Sequence, residues 1–198
     1  MKLTVTAQIS LDGVMQGPGA PVPGFLEGGG FDRDGWAHFD DDAAAAMDEI
    51  FRRADAFLFG RRTYEVFANS WGSWPDPGGS PIWTALHTKP KYVASTNLAA
   101  PEWADTHVIG GDLLAGVREL KARPERELQV HASAALFQQL MADGLVDEMT
   151  LFTFPVVVGQ GKRLFPEAGD QHQLELTESR RSSTGIAIQT YRPAHLVA

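Results

Sequence analysis

The sequence predicts an α/β fold with a mostly parallel central sheet, helices on both faces and antiparallel C-terminal strands at one edge. The first observation is a repeated order of short apolar strand, small-residue turn and amphipathic helix, which is typical of βαβ units. The second is the C-terminal part, where long strand-like segments follow one another without helices at 146–154, 173–182 and 186–192. A length of 198 residues with 43% hydrophobic residues fits a single domain over 1–198.

The N-terminal part begins with a strand, a long loop and a helix. Apolar residues alternate along Lys2–Ile9, which predicts the strand. Residues 13–35 are rich in glycine and proline, including the run Gly28–Gly30, and predict a loop lying over the sheet. The aspartates at 40–42 precede an apolar stripe of helical spacing at 47–54, so they suit the positive end of a helix dipole. They could also ligate a divalent cation, but the helix explains them more simply, and we predict no metal site.

Strands and helices then alternate along the middle of the chain. A turn-rich insertion at 70–81 separates the second helix from the next strand, and Ser133 is the expected N-cap of the last helix. The predicted strands are 56–59, 91–95, 107–109 and 128–130, and the predicted helices begin near residue 62 or 63, near 113 and after 133.

Composition and charge exclude several classes of protein. A formal net charge of -8 repels a polyanion, so nucleic acid is not an expected partner. The lack of cysteine excludes disulfides, thiolate catalysis and cysteine-ligated zinc, and the six histidines show no metal-ligand spacing. The N-terminus has no signal-like apolar stretch and no apolar run is long enough to span a bilayer, so we expect a cytoplasmic protein without a membrane partner.

Three strand-to-helix junctions are candidates for an anionic ligand, because ligands of open α/β sheets bind beyond the carboxyl ends of the strands. The first offers a glycine, two guanidinium groups and a hydroxyl, which suits dinucleotide phosphates. The third offers small side chains before a helix with no acid in its first turn, which suits a diphosphate. In chain order the junctions are Gly60-Arg61-Arg62-Thr63, Gly110-Gly111-Asp112 and His131-Ala132-Ser133-Ala134.

Simpler interpretations of these features stay open at this point. Gly60 could only turn the chain, with both arginines solvated, and the small residues at 131–134 could only pack a helix closely on the sheet. The five tryptophans lie mostly in or beside predicted loops and could line a pocket for a planar ligand, but loop packing or an interface is preferred for at least three. The sequence has no G-x-G-x-x-G after a strand, no phosphate-loop lysine motif and no G-x-S-x-G.

Several segments occur in an order that is typical of one known family. Together they resemble the dihydrofolate reductase-like proteins grouped with the reductase domain of the riboflavin-pathway deaminase-reductase, and the resemblance spans residues 2–192. Each segment is short, so the order and spacing of the set make it specific. The segments are Ser10-Leu11-Asp12-Gly13 with the loop that follows, 60–65, 91–95, 144–148 and 155–165.

The resemblance implies a three-layer dihydrofolate reductase-like fold, an NADPH cofactor and a homodimer. It implies an adenosine phosphate near 95–97, a diphosphate at 131–134, and the nicotinamide near the loop after Asp12, beside a pocket between the first strand and the helix at 41–54. From the junctions and the resemblance together, the predicted cofactor-binding residues are Gly60, Arg61, Arg62, Thr63, Ser95, Thr96, Asn97, Gly111, His131, Ala132, Ser133 and Ala134.

Two departures from the family pattern concern catalysis. The riboflavin reductases carry a glutamate and two glycines where this chain has His131, Ala132 and Ser133. Without the glutamate, the phosphoribosyl-uracil substrate loses a contact. The Cβ of Ala132 narrows the space through which the diphosphate would pass. Dihydrofolate reductases protonate their pterin through a carboxylate, and only Asp41 and Asp42 lie near that position here. Asp12 and His131 are the candidates for proton supply or substrate orientation.

The leading hypothesis is an NADPH-dependent reductase acting on a small heterocyclic substrate, of the 5-amino-6-(5-phosphoribosylamino)uracil reductase type or a relative of it. One alternative is a non-catalytic protein of the same fold that binds NADPH or another ligand. The other is a dihydrofolate reductase proper, which ranks lower because the glycine-rich loop at 13–35 and the segment 144–148 fit the riboflavin group better.

Overall fold

The computed structural model describes residues 1–19 and 31–194. The predicted loop at 13–35 is therefore described only at its two ends, and the run Gly28–Gly30 lies outside the described residues. The strands are β1 (Lys2–Ser10), β2 (Ala56–Gly60), β3 (Lys91–Ala94), β4 (Thr106–Ile109), β5 (Glu127–His131), β6 (Glu148–Phe154), β7 (Leu174–Arg181) and β8 (Ala187–Pro193). The helices are α1 (Asp41–Arg53), α2 (Arg61–Asn69), α3 (Pro81–Thr88), α4 (Leu113–Lys121) and α5 (Ala134–Ala142).

All eight strands form one sheet in the order β4-β3-β2-β5-β1-β6-β8-β7. The six strands from β4 to β6 pair in parallel, and β8 pairs antiparallel with both β6 and β7. The mostly parallel sheet with antiparallel C-terminal strands is thus confirmed. Because parallel strands end on the same side, the turns after these six strands share one rim of the sheet, here termed the carboxyl edge.

Helices cover both faces of the sheet and give it three layers. The odd residues of β1, from Leu3 to Ile9, belong to the core that packs against α4 and α5. The opposite face packs against α1, α2 and α3, through residues such as Ile50 and Phe51 of α1. Strand alternation therefore places the even residues of β1 beneath α1. No helix in the described part of the chain combines the length and apolarity that a bilayer crossing needs.

The structure adds one helix to the predicted elements. Helix α3 lies between the predicted turn at 70–81 and the predicted strand at 91–95, where no element was predicted, although Ser80 accepts a hydrogen bond from Trp83 N at 3.2 Å and Pro81 stands at the first helical position. A serine cap followed by proline is a helix-start signal that the sequence already carried. Ser133 takes the predicted N-cap position of α5, although its side chain makes no capping hydrogen bond.

Candidate cofactor and substrate site

Two of the three candidate junctions lie side by side at the carboxyl edge. Strands β2 and β5 are neighbours, with Leu58 paired to Val130, so the turns that follow them also meet. The contact is close, because a Cβ placed on Gly60 would lie 2.5 Å from Ser133 Oγ. Glycine at position 60 thus lets the second turn approach the first backbone, and a single extended ligand can reach both turns.

The helices that start at these two junctions differ from the other helices in how their first turn is capped. Side chains of Asp40, Ser80 and Asp112 accept backbone hydrogen bonds at the starts of α1, α3 and α4. In the described chain, α2 and α5 have no such bond at Gly60 or Ser133, and neither has an acidic residue in its first turn. Free N-H groups and the positive ends of two helix dipoles are therefore available to one anion.

The turn after β5 has an unusual backbone. Ala132 has φ 58° and Ser133 has φ 68°, both in the left-handed region that glycine prefers. For residues with a Cβ this conformation costs about 1–3 kcal/mol each, and such strain persists where the surroundings impose it. Ala132 and Ser133 therefore adopt a left-handed backbone conformation that glycine would adopt without strain.

Guanidinium groups stand at the first junction, and one of them has no ionic partner in the described residues. Arg61 Nε lies 2.8 Å from Glu65 Oε1, which is an exposed pair within one helix turn. Arg62 is exposed and forms no ion pair with any described side chain. Arg62 can therefore bind a phosphate without breaking an ion pair, whereas Arg61 would first have to release Glu65.

The turn after β3 lies next to the first junction, since Gly60 pairs with Ala94. Ser95 Oγ accepts hydrogen bonds from the backbone N-H groups of Asn97 at 3.2 Å and Leu98 at 3.0 Å, so its oxygen already stabilises the turn. Thr96 and Asn97 are exposed. Their predicted role at an adenosine phosphate stays a prediction, with Thr96 and Asn97 the more accessible of the three residues.

The Gly111 junction is less suited to an anion than the sequence suggested. Asp112 caps α4 by accepting a hydrogen bond from Ala115 N at 3.1 Å. A carboxylate at a helix start satisfies the free N-H groups and repels a second negative charge. Gly111 itself is exposed on the edge strand's turn, and its predicted part in binding has no support from this geometry.

The carboxylate of Asp12 joins the turn after β1 to the segment at 158–159 by hydrogen bonds, and it does not fit a proton donor. Its carboxylate accepts hydrogen bonds from Ser10 Oγ at 2.7 Å and from the backbone N-H groups of Val158 at 3.0 Å and Gly159 at 2.8 Å. These bonds, the one from Ser10 first, lower the pKa of Asp12 from 3.8 to about 2. A carboxylate with this pKa is ionised near neutral pH, so the predicted proton supply from Asp12 is not retained.

His131 is likewise a packed core residue, 4% exposed and stacked on Phe51 at a ring distance of 4.2 Å. Burial lowers its pKa from 6.5 to about 3, so the ring is neutral. Gln129 Nε2 donates to Ile50 O at 2.6 Å and to Glu127 Oε1 at 2.8 Å, so Gln129 Oε1 faces His131 Nε2 at 2.9 Å. Because that oxygen can only accept, the proton of the ring is on Nε2. The predicted proton supply from His131 is therefore not retained either.

Aromatic rings stand on both sides of the site on the α1 face, and we term them the aromatic frame. On the β6 side Phe39 lies 5.7 Å from Phe152 and 5.3 Å from Phe154, and on the β2 side Phe59 lies 5.1 Å from Phe67. Between β6 and β2 run β1 and β5. These four strands span three inter-strand spacings, about 14 Å. Phe59 and Phe152 are fully buried in the core, whereas Phe39 is 38% exposed.

Sequence reasoning missed Gln8, which stands on β1 between the two sides of the frame. It is half-buried, pairs in register with Phe152, and shares the α1 face with the other even residues of β1. The available signal was its position, because a long polar side chain at an inward-facing position of a central strand has to be explained.

Comparison with known proteins gives the family. The model of the RibD C-terminal domain matches residues 1–188. The chain belongs to this family. Among the curated proteins, the uncharacterised protein YyaP of Bacillus subtilis (strain 168) is 28% identical to this chain over 175 residues. The alignment covers 86% of this chain and 89% of YyaP.

Solved structures confirm the dihydrofolate reductase-like fold of this RibD C-terminal domain. A putative riboflavin biosynthesis protein from Shewanella sp. PV-4 aligns with a TM-score of 0.73 at 20% identity, over 98% of this chain and 100% of that one. A pyrimidine reductase-like protein from Corynebacterium diphtheriae aligns at 0.65 with 14% identity, over 98% and 92%. Dihydrofolate reductase from Enterococcus faecalis aligns at 0.62 with 13% identity, over 98% and 97%.

Proposed function

We propose that this protein is an NADPH-dependent reductase that passes a hydride to a small heterocyclic acceptor. The observation that carries the proposal is the pair of uncapped helix starts at Gly60 and Ser133, which lie in contact at the carboxyl edge. Family membership supports a reductase-type domain, and the structurally similar dihydrofolate reductase from Enterococcus faecalis is described as a complex with NADP(H).

In this proposal the chain binds the cofactor by its phosphates. The N-H groups of the α2 and α5 starts receive the diphosphate, Arg62 adds a positive charge, and Thr63 adds a hydroxyl in the first turn of α2. Thr96 and Asn97, on the neighbouring turn, would meet the adenosine phosphate. NADPH supplies the hydride, while the residues of the carboxyl edge orient it.

Catalysis would come from orientation and exclusion of water. The carboxylate of Asp12 is held by three hydrogen bonds and His131 is buried and neutral, so neither residue is assigned a proton-transfer role. Holding the nicotinamide against an acceptor within the aromatic frame supplies the near-attack geometry that raises the rate. The acceptor belongs to the class of 5-amino-6-(5-phosphoribosylamino)uracil or a relative, with His131 in place of the glutamate of the riboflavin reductases altering its contacts.

Fluorescence titration with NADPH tests the cofactor site. We expect Arg62→Ala to weaken binding about tenfold, because one charge-assisted contact to phosphate is lost, and Arg61→Ala to weaken it less. Arg126→Ala is the matched control, since Arg126 is an exposed arginine just before β5, at the opposite edge of the sheet. Equal and negligible binding by the parent and all three variants would remove the proposal.

A second candidate is a protein that binds NADPH but does not turn it over. The specific observation in its favour is that both predicted proton suppliers are engaged in structural contacts. Loss of NADPH absorbance with dihydrofolate or a pyrimidine acceptor would exclude this candidate, whereas tight binding with no absorbance change across these acceptors would favour it. Inhibition by methotrexate would point to a dihydrofolate reductase proper.

A further inference from the structure

Gln8 and Thr6 differ from the other polar residues that β1 and β5 place beneath α1, because neither side chain makes a hydrogen bond with a described residue. Thr6 is buried, at 4% exposed, and carries a single hydroxyl, whereas Gln8 is half-buried and carries a carboxamide. Thr4 Oγ1 donates to Glu127 Oε1 at 2.9 Å, and Gln129 and His131 bond to each other. These groups form a closed network. The carboxamide of Gln8, by contrast, makes no hydrogen bond with any described residue.

The position of Gln8 explains why it is left out of that network. On the β5 side, the last paired residue is His131, opposite Thr6, and Ala132 N donates to Thr6 O at 3.2 Å. Gln8 stands two residues further along β1, so it faces the turn after β5 and not another strand residue. On the other side its neighbour is Phe152, whose ring packs against Phe39 of the aromatic frame.

A half-buried carboxamide next to an aromatic residue, here Phe152, has a defined recognition chemistry. It offers an acceptor and two donors on one plane, and it can form two parallel hydrogen bonds with a ring edge that carries an adjacent N-H and C=O. An apolar acceptor would leave the amide unpaired when water is expelled, which costs binding energy.

We propose that Gln8 determines substrate specificity by pairing its carboxamide with an N-H/C=O edge of a planar ring held in the aromatic frame. The proposal rests on the proposed reductase function, but it concerns the acceptor and not the cofactor. No charge on the protein is needed for this contact.

The test uses lumazine, a bicyclic ring with an imide edge, and 1,3-dimethyllumazine, in which that edge is blocked. Calorimetric titrations are made with the parent, with Gln8→Met and Gln8→Glu, and with Gln189→Met as a matched control. Gln189 is a half-buried glutamine of β8 that pairs with Leu151, on the other face of the sheet. Each protein is titrated with and without NADPH, and its melting temperature is recorded.

We expect the parent to bind lumazine at least about tenfold more tightly than the dimethyl compound, and Gln8→Met to lose that preference. NADPH affinity should be unchanged in all variants, and Gln189→Met should match the parent. If Gln8→Met misfolds, Gln8→Glu provides the test: its carboxylate still accepts from the ring N-H but cannot donate to the C=O, so we expect it to bind lumazine at least about tenfold more weakly than the parent while keeping a preference over the dimethyl compound. Equal affinity of the parent for the two compounds, no binding of lumazine at all, an unaltered preference in a folded Gln8→Met, or an unaltered lumazine affinity in a folded Gln8→Glu would overturn the proposal. Failure of NADPH to bind would count against the reductase function instead, since lumazine binding is read separately.

Discussion

The turn after β1 and the turn after β5 are neighbours at the carboxyl edge, yet their hydrogen-bonding groups are used in opposite ways. After β1, Asp12 accepts three hydrogen bonds and joins its turn to the segment at 158–159. After β5, Ser133 leaves the first turn of α5 uncapped. A residue of a family motif can thus stabilise the backbone around a site, while the neighbouring turn keeps free N-H groups that a ligand could bind. We term the turn after β1, which contains Asp12, the closed turn, and the turn after β5, which contains Ala132 and Ser133, the open turn.

The largest expected effect comes from placing a carboxylate in the open turn. Ser133→Asp should weaken NADPH binding about a hundredfold, or about 2.7 kcal/mol, because the new charge would repel the diphosphate at the helix start. Aspartate tolerates the left-handed backbone of this position. Fluorescence titration measures the effect.

Ser133→Asn is the control for that change, since asparagine has nearly the same shape, tolerates the same backbone and carries no charge. We expect its NADPH affinity to stay within about threefold of the parent. Equal affinities for the Asp and Asn variants would mean that the open turn does not bind the phosphates.

His131, the last residue before the open turn, should make stability depend on pH. Its folded pKa of about 3 lies below the ordinary 6.5, so acid protonates the unfolded chain first and stability is lost as pH falls from 6.5 toward 3. Between pH 6.5 and about pH 5 the parent should lose about 1.5 kcal/mol more than His131→Gln. Urea unfolding at several pH values gives this difference, and parallel pH profiles for both proteins would contradict it.

The backbone strain of the open turn predicts a stabilising substitution. Ala132→Gly should raise the free energy of unfolding by about 1 kcal/mol, because glycine adopts the left-handed conformation seen at φ 58° without a Cβ clash. Ala135→Gly, in the regular first turn of α5, should lower it by about 0.5–1 kcal/mol. Chemical denaturation compares the two, and a destabilised Ala132→Gly would show that the turn is unstrained.

The closed turn should give the smallest effect. Asp12→Asn should lower the melting temperature at neutral pH by a few degrees, because the amide loses charge-assisted acceptance from the two backbone N-H groups. The folded pKa of Asp12 is depressed to about 2 from 3.8, so its contribution is present above 3.8 and is lost as pH falls toward 2. Melting curves of the parent and the variant should therefore converge in acid; a constant gap would mean that ionisation of Asp12 is irrelevant.

The order of strands and helices could be predicted because each carries a local signal. Alternation in Lys2–Ile9, the acidic start of α1 and the absence of helices after 146 all depend on residues that are close in sequence. Helix α3 was missed although Ser80 and Pro81 signal a helix start, since the glycines and prolines before it favour turns. A short helix is indicated by only a few residues, so its sequence signal is easily outweighed by turn-forming residues next to it.

The roles of the site residues could be predicted only in part. Gly60, Arg62 and Ser133 could be selected as candidates because small residues and cations before a helix indicate an anion site, and their binding role stays a prediction. The roles predicted for Asp12 and His131, proton supply or substrate orientation, stay predictions. The structure argues against proton supply, because the fold brings the Val158 N-H to the carboxylate of Asp12 and buries His131 against Phe51. Gln8 was overlooked for the same reason, since its lack of a partner can be seen only once its neighbours are in place.

The sequence by itself determined the α/β class, the places where strands give way to helices and the chemical groups available at those places, because these follow from local periodicity and side-chain type. The tertiary structure decided which junctions meet, which helix starts are capped and which polar groups are satisfied. The physical reason is that hydrogen bonding, burial and pKa depend on atoms that the sheet brings together from distant parts of the chain, as β5 brings Ser133 to Gly60.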